Sequence, residues 1–520
     1  MPQAYERALW LVLILTLFSA ILVIGYHAAR TPTYTIDSYF YLSKASQVSR
    51  GEGLSTTWND GTDAKYFPGY SIFLAIPFLV GASYVSLQLI SYVLCVLFLF
   101  RIVRGLGFEP VEQLLAATAF AANPIVIKWI CLPMAEGVAL MLSLLSITLL
   151  LGFLEKNRWP LLAAACMVGG VATITRVESL FLLAVFGTIL FPKRRALLQP
   201  SILAGAVLFL LPLAVYWIRL KYGTGQSPAY LGELRYPLPK FGLLKNFIYN
   251  LWVPFGFMHR PTSSFLASGL VSASALAGAV WFVLGEVIFI IGLILSFSGK
   301  LGPKARAVAF LFAVYALAHA VWHYRYERFM FMAVPLAAVG WAIAVRAIFK
   351  FVKGEQGGRW WLLVLAQLLI AATGTYFGNH YSSRHAEALQ RDTSWLRFQD
   401  IAETVNGLNR ETHSAVLTDL GPHLAYYVDA HTYLDTDHGN YWQRAFPPDR
   451  TLQEMDRLGI GFVVTRENPA QWLEAHRIPP SAGEKFRAVE HPAEGALIIE
   501  YLPQASFVPA RPISFSRQIP

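Results

Sequence analysis

Charge is the scarcest commodity in this sequence. Only 14% of its 520 residues are Asp, Glu, Lys or Arg, where a soluble globular chain carries about a quarter. So long a chain cannot clothe an ordinary water-facing surface with so few charges, and a soluble enzyme is excluded. Cysteine is almost absent too. Cys95, Cys131 and Cys166 fall in or at the ends of apolar runs with no C-x-x-C spacing, which argues against a disulfide framework or a zinc site. There is no Walker loop, no G-x-S-x-G, no H-x-E-type metal pattern and no G-x-G-x-x-G on a strand–helix turn. No solenoid period and no inverted repeat of the transporter kind is evident.

What the chain has is apolar length. It is 55% hydrophobic and 14% aromatic, with a mean hydropathy of +0.47, so it reads as a polytopic α-helical membrane protein. A hydrocarbon core about 30 Å thick needs roughly 20 apolar residues per helix, and that ruler gives about eleven spans. They are 8–28, 82–104, 111–130, 134–154, 159–174, 177–192, 198–219, 276–298, 304–322, 328–350 and 359–378. The segments 68–81 and 262–274 are apolar but suffice for half a crossing only, and read as interfacial or re-entrant helices. No small-residue cleavage site follows the first run, so it reads as an uncleaved helix.

The net charge of +10 does not form a nucleic-acid patch. Its residues sit in short loops: Arg101 and Arg104; Lys156 and Arg158; Lys193, Arg194 and Arg195; Lys300, Lys304 and Arg306; Lys350, Lys353 and Arg359. All five loops fall on one parity, which the positive-inside rule makes cytoplasmic. The N-terminus is then cytoplasmic in a plasma (inner) membrane protein. Loops 29–81 and 220–275 lie outside, with the region from 380 onward.

From His380 charges become frequent and apolar runs shorten. AVLTD (415–419), GFVVT (461–465) and ALIIEYL (496–502) read as buried strands, and 452–459 as a helix. The expected organisation is a membrane domain at 1–379, an extracytoplasmic α/β domain at 380–504 and a Pro-rich tail at 505–520.

Between the first two crossings lies YTIDSYFYLSKASQVSRGEGLSTTWNDGTDAKYFPGY, Tyr34 to Tyr70. It is too polar to cross a bilayer and too aromatic for a bare linker. Asp37 opens a helix-like run that the GEGLS turn ends. As an N-cap it would hold free N–H groups; as a surface carboxylate it could serve as a general base.

Further candidates follow along the outer face. Glu136 lies just inside the outer end of the fourth span, where an acid needs a partner or a cavity; Lys128 is the nearest counter-charge in sequence. Arg176 and Glu178 (ATITRVESL) could form a local ion pair, or Arg176 could face the same outer cavity and offer its fork to a phosphate. His323, Tyr324, Arg325, Tyr326, Glu327 and Arg328 form a run more polar than anchoring requires, and read as an anionic head-group site. Glu286 sits mid-span: either it is functional or that span is misplaced by several residues. His319 reads as packed in the bundle.

With these residues assembled, a family likeness emerges. DSYFYL from Asp37, GEGLS from Gly51, FPGYSIFLAIP from Phe67, Asn123-Pro124, Ala135-Glu136, TRVE from Thr175, YGTGQSP from Tyr222 and ERFMFMAVP from Glu327 occur in that order. The chain resembles the integral-membrane glycosyltransferases of the GT-C fold, in the bacterial branch related to protein O-mannosyltransferases and the lipid A aminoarabinose transferase. The resemblance implies a polyprenyl-phosphate sugar donor and inverting transfer. It implies Asp37 as the catalytic carboxylate, with Glu136 supporting it or orienting the acceptor. Lys65, Arg176, Arg325 and Arg328 would hold the donor phosphate. Tyr39, Tyr66, Glu178, His323 and Tyr324 would contact sugar or acceptor.

The donor carries its own activation, so no cofactor is required; clustered outer acids could bind a divalent cation, though no spacing demands one. The expected partners are a polyprenyl-phosphate sugar, a glycan, lipid or protein acceptor and membrane lipid, with no nucleic acid. Two rival classes remain open. A transporter or flippase predicts polar residues near mid-membrane and repeat symmetry; a membrane scaffold would explain the C-terminal region but not the acids and arginines of the outer rim.

Overall fold

The computed structural model describes residues 3–30, 35–54, 67–190, 200–224, 238, 241–255, 273–321, 327–353, 360–391, 398–410, 412–434, 450–465, 469–489 and 497–502. Its contacts divide the chain into two compact units, one of residues Met1–Arg30 and Tyr84–His385, the other of Thr31–Ser83 and Ala386–Pro520.

The helices run in chain order as α1 (Gln3–Arg30), α2 (Ile36–Ser49), α3 (Pro68–Leu79), α4 (Tyr84–Gly105), α5 (Pro110–Ala121), α6 (Pro124–Ile130), α7 (Ala135–Lys156), α8 (Trp159–Thr175), α9 (Leu182–Leu190) and α10 (Pro200–Arg219). There follow α11 (Gly242–Trp252), α12 (Ala273–Trp281), α13 (Ile288–Phe297), α14 (Gly302–Ala320), α15 (Val334–Lys353), α16 (Trp361–Arg391), α17 (Phe398–Leu408), α18 (Pro422–Tyr427), α19 (Thr451–Leu458) and α20 (Pro469–Ala475).

The first unit is a helical membrane bundle. In hydrocarbon every backbone polar group must be satisfied within its own segment, so apolar runs of this length become helices. Among the described residues seven helices are long and apolar enough to cross a membrane, or eight if the bent pair α5–α6 is one span. The remaining expected spans are helical as well: α8 and the Val177–Leu190 stretch are shorter apolar helices, and α14 has 19 residues. Pro68–Leu79 is likewise a short apolar helix. The segment 262–272 lies outside the described residues.

Helix α5 is the centre of the bundle. Ten of its 12 residues are buried, and α1, α4 and α15 pack around it. By contrast α10 buries only Gly205, Phe209 and Tyr216, while its apolar Leu203, Val207 and Trp217 stay exposed. An exposed apolar stripe of that length suits lipid rather than water.

Two interruptions matter. Asn123-Pro124 bends α5 from α6 by 48°, because proline lacks the N–H to continue the ladder and pushes the preceding residue out of the helical region. Asn123 repairs the break: its Oδ1 accepts from Ile125 N at 3.0 Å, and its Nδ2 donates to the Pro254 carbonyl at 2.8 Å. The second is a π-helical stretch at Phe282–Val287 between α12 and α13. There the Trp341 indole donates to the Leu284 carbonyl at 2.5 Å. Glu286 lies within this stretch, inside the span Leu276–Phe297; it is buried, and its Oε1 has no hydrogen-bond partner among the described residues.

Helix α16 passes the α5–α6 break at close range. A Cβ at Gly374 would overlap the Ala122 carbonyl, and one at Gly378 would overlap the Ile127 side chain. Glycine at both positions permits the approach.

The second unit joins α2 and α3 to an α/β sheet domain. The strands are β1 (Ala415–Thr418), β2 (Thr432–Leu434), β3 (Ile460–Thr465), β4 (Phe486–Val489) and β5 (Leu497–Tyr501), in the order β2-β1-β3-β5-β4. β2, β1 and β3 are parallel; β5 runs antiparallel to β3 and β4. Alternation along the strands buries both faces. Leu417, Val463 and Ile499 meet Met455 and Trp472 on one side. Val416, Phe462 and Ile498 meet Phe398 and Leu424 on the other. The three expected strands and the helix at 452–459 are present. β2 and β4 escaped the sequence reading because β2 has only three residues and β4, FRAV, carries Arg487 and is not buried as β1 is, so neither stands out as an apolar run.

Candidate active site

In the membrane unit Glu136, Arg176 and Glu178 converge. Glu136 is in the first turn of α7, where the helix N-terminus favours a negative charge. Arg176 separates α8 from the 3-10 turn Val177–Phe181 and is itself extended, at φ −155° and ψ 125°. That kink points its side chain back to α7: Nη1 donates to Glu136 Oε1 at 2.7 Å, and Nη2 meets Glu178 Oε1 at 2.8 Å. The Glu136 side chain is fully buried, and the other two are 10% exposed. Buried charges need partners, and each carboxylate has one here. Two carboxylates on one guanidinium leave a formal excess of one negative charge.

This geometry decides between the sequence-based alternatives. Arg176 makes the local pair with Glu178 and also bridges to Glu136. Both terminal nitrogens of Arg176 are engaged by carboxylates, and its guanidinium holds the two acids together. Glu136 Oε2 is buried and has no hydrogen-bond partner among the described residues.

Lys128 does not serve Glu136. The bend at Asn123 turns α6 so that Lys128 Nζ reaches Glu327 Oε1 at 2.5 Å. Arg328 belongs to the same group: its guanidinium lies 5.8 Å from the Trp129 ring centre and Lys128 Nζ 4.9 Å from it. The His385 ring lies 5.6 Å from the Trp129 ring. Cation–aromatic contacts of this kind hold Arg328 in a defined place.

Tyr315 and His319 on α14 complete the surroundings of the acid cluster. Both lie within electrostatic reach of Arg176 and Glu178. The Tyr315 hydroxyl donates to the Phe329 carbonyl at 2.8 Å, and the His319 ring packs on Tyr315 at 4.5 Å and on Phe329 at 6.1 Å. His319 is thus packed in the bundle, as read from sequence. Tyr315 went unnoticed there, since one tyrosine in an apolar span carries no signal of its own.

A cavity of about 1290 Å³ runs along α7 from Leu140 to Glu155, walled also by α4, α9, α14 and α15. Glu178 and Ser179 line it near the acid cluster, and Leu144, Ile147, Leu182 and Leu311 line its length. At about 1.5 Å per residue the stretch of α7 is some 22 Å long, most of a hydrocarbon core.

In the second unit, Asp37 lies in the first turn of α2, but the N-cap is Thr35, whose side chain accepts from Ser38 N at 3.3 Å. Asp37 is therefore not the N-cap, and it is half-buried. Tyr39 is not a surface sugar contact. Its ring is 1% exposed and packs against His423 at 4.9 Å, Tyr426 at 5.5 Å and Tyr427 at 6.1 Å. The aromatic residues of α18 thereby pin the helix that carries Asp37. Lys65, Tyr66, His323, Tyr324 and Arg325 lie outside the described residues.

No group of three His, Cys, Asp or Glu side chains suited to a metal ion occurs among the described residues.

Comparison with known proteins bears on this geometry. A family model described as dolichyl-phosphate-mannose-protein mannosyltransferase matches residues 70–218, a stretch that contains Glu136, Arg176 and Glu178. The crystal structure of ArnT from Cupriavidus metallidurans bound to undecaprenyl phosphate is 11% identical, covering 96% of this chain and 99% of that one at a TM-score of 0.62. The apo structure of the same protein is 12% identical, covering 94% and 97% at 0.61. No curated protein sequence gives a significant match. At these identities the likeness is one of architecture: the chain has the GT-C fold and is a multi-pass membrane protein.

Proposed function

We propose that this GT-C-fold protein is an inverting glycosyltransferase that moves a sugar from a polyprenyl-phosphate donor to an acceptor hydroxyl at the outer face of the membrane. The observation that carries this reading is the long apolar cavity that ends at Glu178 beside the Glu136–Arg176 pair. A prenyl chain needs an apolar seat of membrane length, and the reacting sugar needs carboxylates at its end. The family match over residues 70–218 and the undecaprenyl phosphate bound to ArnT support the same donor class.

The chemistry requires little of the protein. A carboxylate accepts the proton of the acceptor hydroxyl, and that oxygen attacks the anomeric carbon from the face opposite the phosphate. The bond from that carbon to the phosphate oxygen breaks, and the polyprenyl phosphate departs with the electron pair. Asp37 is the proposed base. Glu136 is proposed to support Asp37 or orient an acceptor, and Arg176 fixes Glu136 for that task. Lys65, Arg325 and Arg328 are the proposed phosphate holders; Arg328 is the one described, set beside Lys128 and Trp129. The proposed orientation keeps the short basic loops and the N-terminus cytoplasmic and the sheet domain outside.

The test is transfer or release of sugar from a panel of labelled polyprenyl-phosphate sugars by the purified protein in lipid, wild type against Asp37→Asn. The expected result is wild-type turnover that falls by about 100-fold or more in the variant, with donor binding retained. Equal turnover by both proteins would remove Asp37 from the mechanism and leave the class standing. A donor that is moved across the bilayer unreacted, or no donor bound at all, would return the transporter or scaffold reading to the front.

A further inference from the structure

The cavity has two ends, and the reaction uses one. At the end away from the acid cluster its lining includes Arg101 and Arg104 from α4, Lys304 from α14 and Glu155 from α7. These four bring a formal excess of two positive charges to the mouth of an otherwise apolar channel.

Nearby cations are accounted for differently. Arg346 on α15 is paired with Glu109 and lies 3.9 Å from Glu112, and Lys350 lies 3.7 Å from Glu109. None of these four residues lines the cavity. Arg101 and Arg104 are exposed and form no ion pair among the described residues. Lys304 is held at the mouth rather than swinging free: its Nζ donates to the Gly107 carbonyl at 2.9 Å and sits 5.5 Å from the centre of the Phe108 ring. Glu109 and Glu112 are thus spent on α15, and Glu155, the one acid lining the mouth, leaves its three cations with an excess of two positive charges for an outside anion.

We infer that this mouth is a binding site for an anionic glycerophospholipid of the surrounding bilayer, its phosphate on Arg101, Arg104 and Lys304 and an acyl chain in the cavity. Zwitterionic lipid fits less well, because its ammonium would meet the same three cations. Charge complementarity sets the headgroup at this end, where Arg101, Arg104 and Lys304 lie. A basic pocket between membrane helices is a general means of holding acidic headgroups. The site stands whether or not the protein transfers sugar. If it does, the acyl chain and the prenyl tail share one channel, and acidic lipid raises the KM for donor.

The experiment is mass spectrometry of the intact protein released from nanodiscs of mixed phosphatidylcholine and phosphatidylglycerol, counting retained lipid of each kind. Wild type should retain phosphatidylglycerol in preference. Each charge is worth about five-fold, so the triple variant Arg101→Gln, Arg104→Gln, Lys304→Gln should lose the preference by about 100-fold. Lys350→Gln, a cation outside the cavity, should leave it unchanged. Ile147→Trp, which fills the channel without touching the mouth, should also abolish retention. Equal retention of both lipids by wild type, or phosphatidylglycerol held undiminished by the triple variant or by Ile147→Trp, overturns the inference. No sugar donor is present, so the outcome is independent of any assay of transfer.

Discussion

Glu136 and Arg176, 40 residues apart in the chain, meet at 2.7 Å in the interior of the membrane unit. The contact exists because the chain breaks its helix at Arg176, so that a residue which would otherwise continue α8 turns back to the start of α7. Removing the guanidinium strands two carboxylates at once. Arg176→Met should destabilise the protein by on the order of 3–5 kcal/mol, more than Glu178→Gln, which removes one partner and leaves a balanced pair. Thermal unfolding in detergent at constant pH checks the order; equal losses would mean that Glu178 is as indispensable as Arg176.

The Lys128–Glu327 pair couples α6 to the turn that carries Arg328. If this pair sets the place of Arg328, Lys128→Met and Glu327→Gln should each weaken prenyl-phosphate binding several-fold, and the double variant should lose little more than either alone. Binding of undecaprenyl phosphate across the four proteins measures the coupling, which contacting residues put at about 0.5–3 kcal/mol. Strictly additive losses would show that the two act separately.

In the sheet domain, burial holds the His431 imidazole below its ordinary value of 6.5. Its carbonyl accepts from Val416 N at 2.9 Å, joining β2 to β1. The unfolded chain then binds the proton more readily than the folded one, so stability is present above about pH 6.5 and drains away as the pH falls below that value. Amide exchange at Val416 should accelerate between pH 7 and 5 beyond the intrinsic rate, and His431→Gln should abolish that excess. An excess that survives the substitution assigns the acid sensitivity to another group.

Much of this architecture was legible in the sequence because membrane helices and buried strands both announce themselves by apolar length. Among the described residues each of the apolar stretches is helical, seven or eight of them long enough to cross a membrane, and the strands at 415, 460 and 497 are where the short apolar runs stand. The breaks were harder to read. Asn123-Pro124 was visible as a motif, yet the direction in which it sends Lys128 depends on a hydrogen bond to Pro254, a residue 131 positions away. The partner of Glu136 was misjudged for the same reason: proximity in sequence favoured Lys128, and packing delivered Arg176. Tyr39 looked like a sugar contact beside Asp37, but its environment is set by α18, nearly 400 residues on, and no local pattern encodes that. The place of Asp37 in a helical first turn was readable; the identity of its cap, Thr35, required the backbone.

The two glycines at which α16 crosses the α5–α6 break have a mechanical corollary. Sliding α16 by one turn, four residues, would bring Ser382 to the position of Gly378 in one direction and Ile370 to that of Gly374 in the other. Either side chain would strike the backbone or side chains of the broken helix. The helix is indexed, like a key at a single depth, and piston motion along its axis is closed to it. Motion of the bundle would then take the form of rotation or bending of other segments around this post.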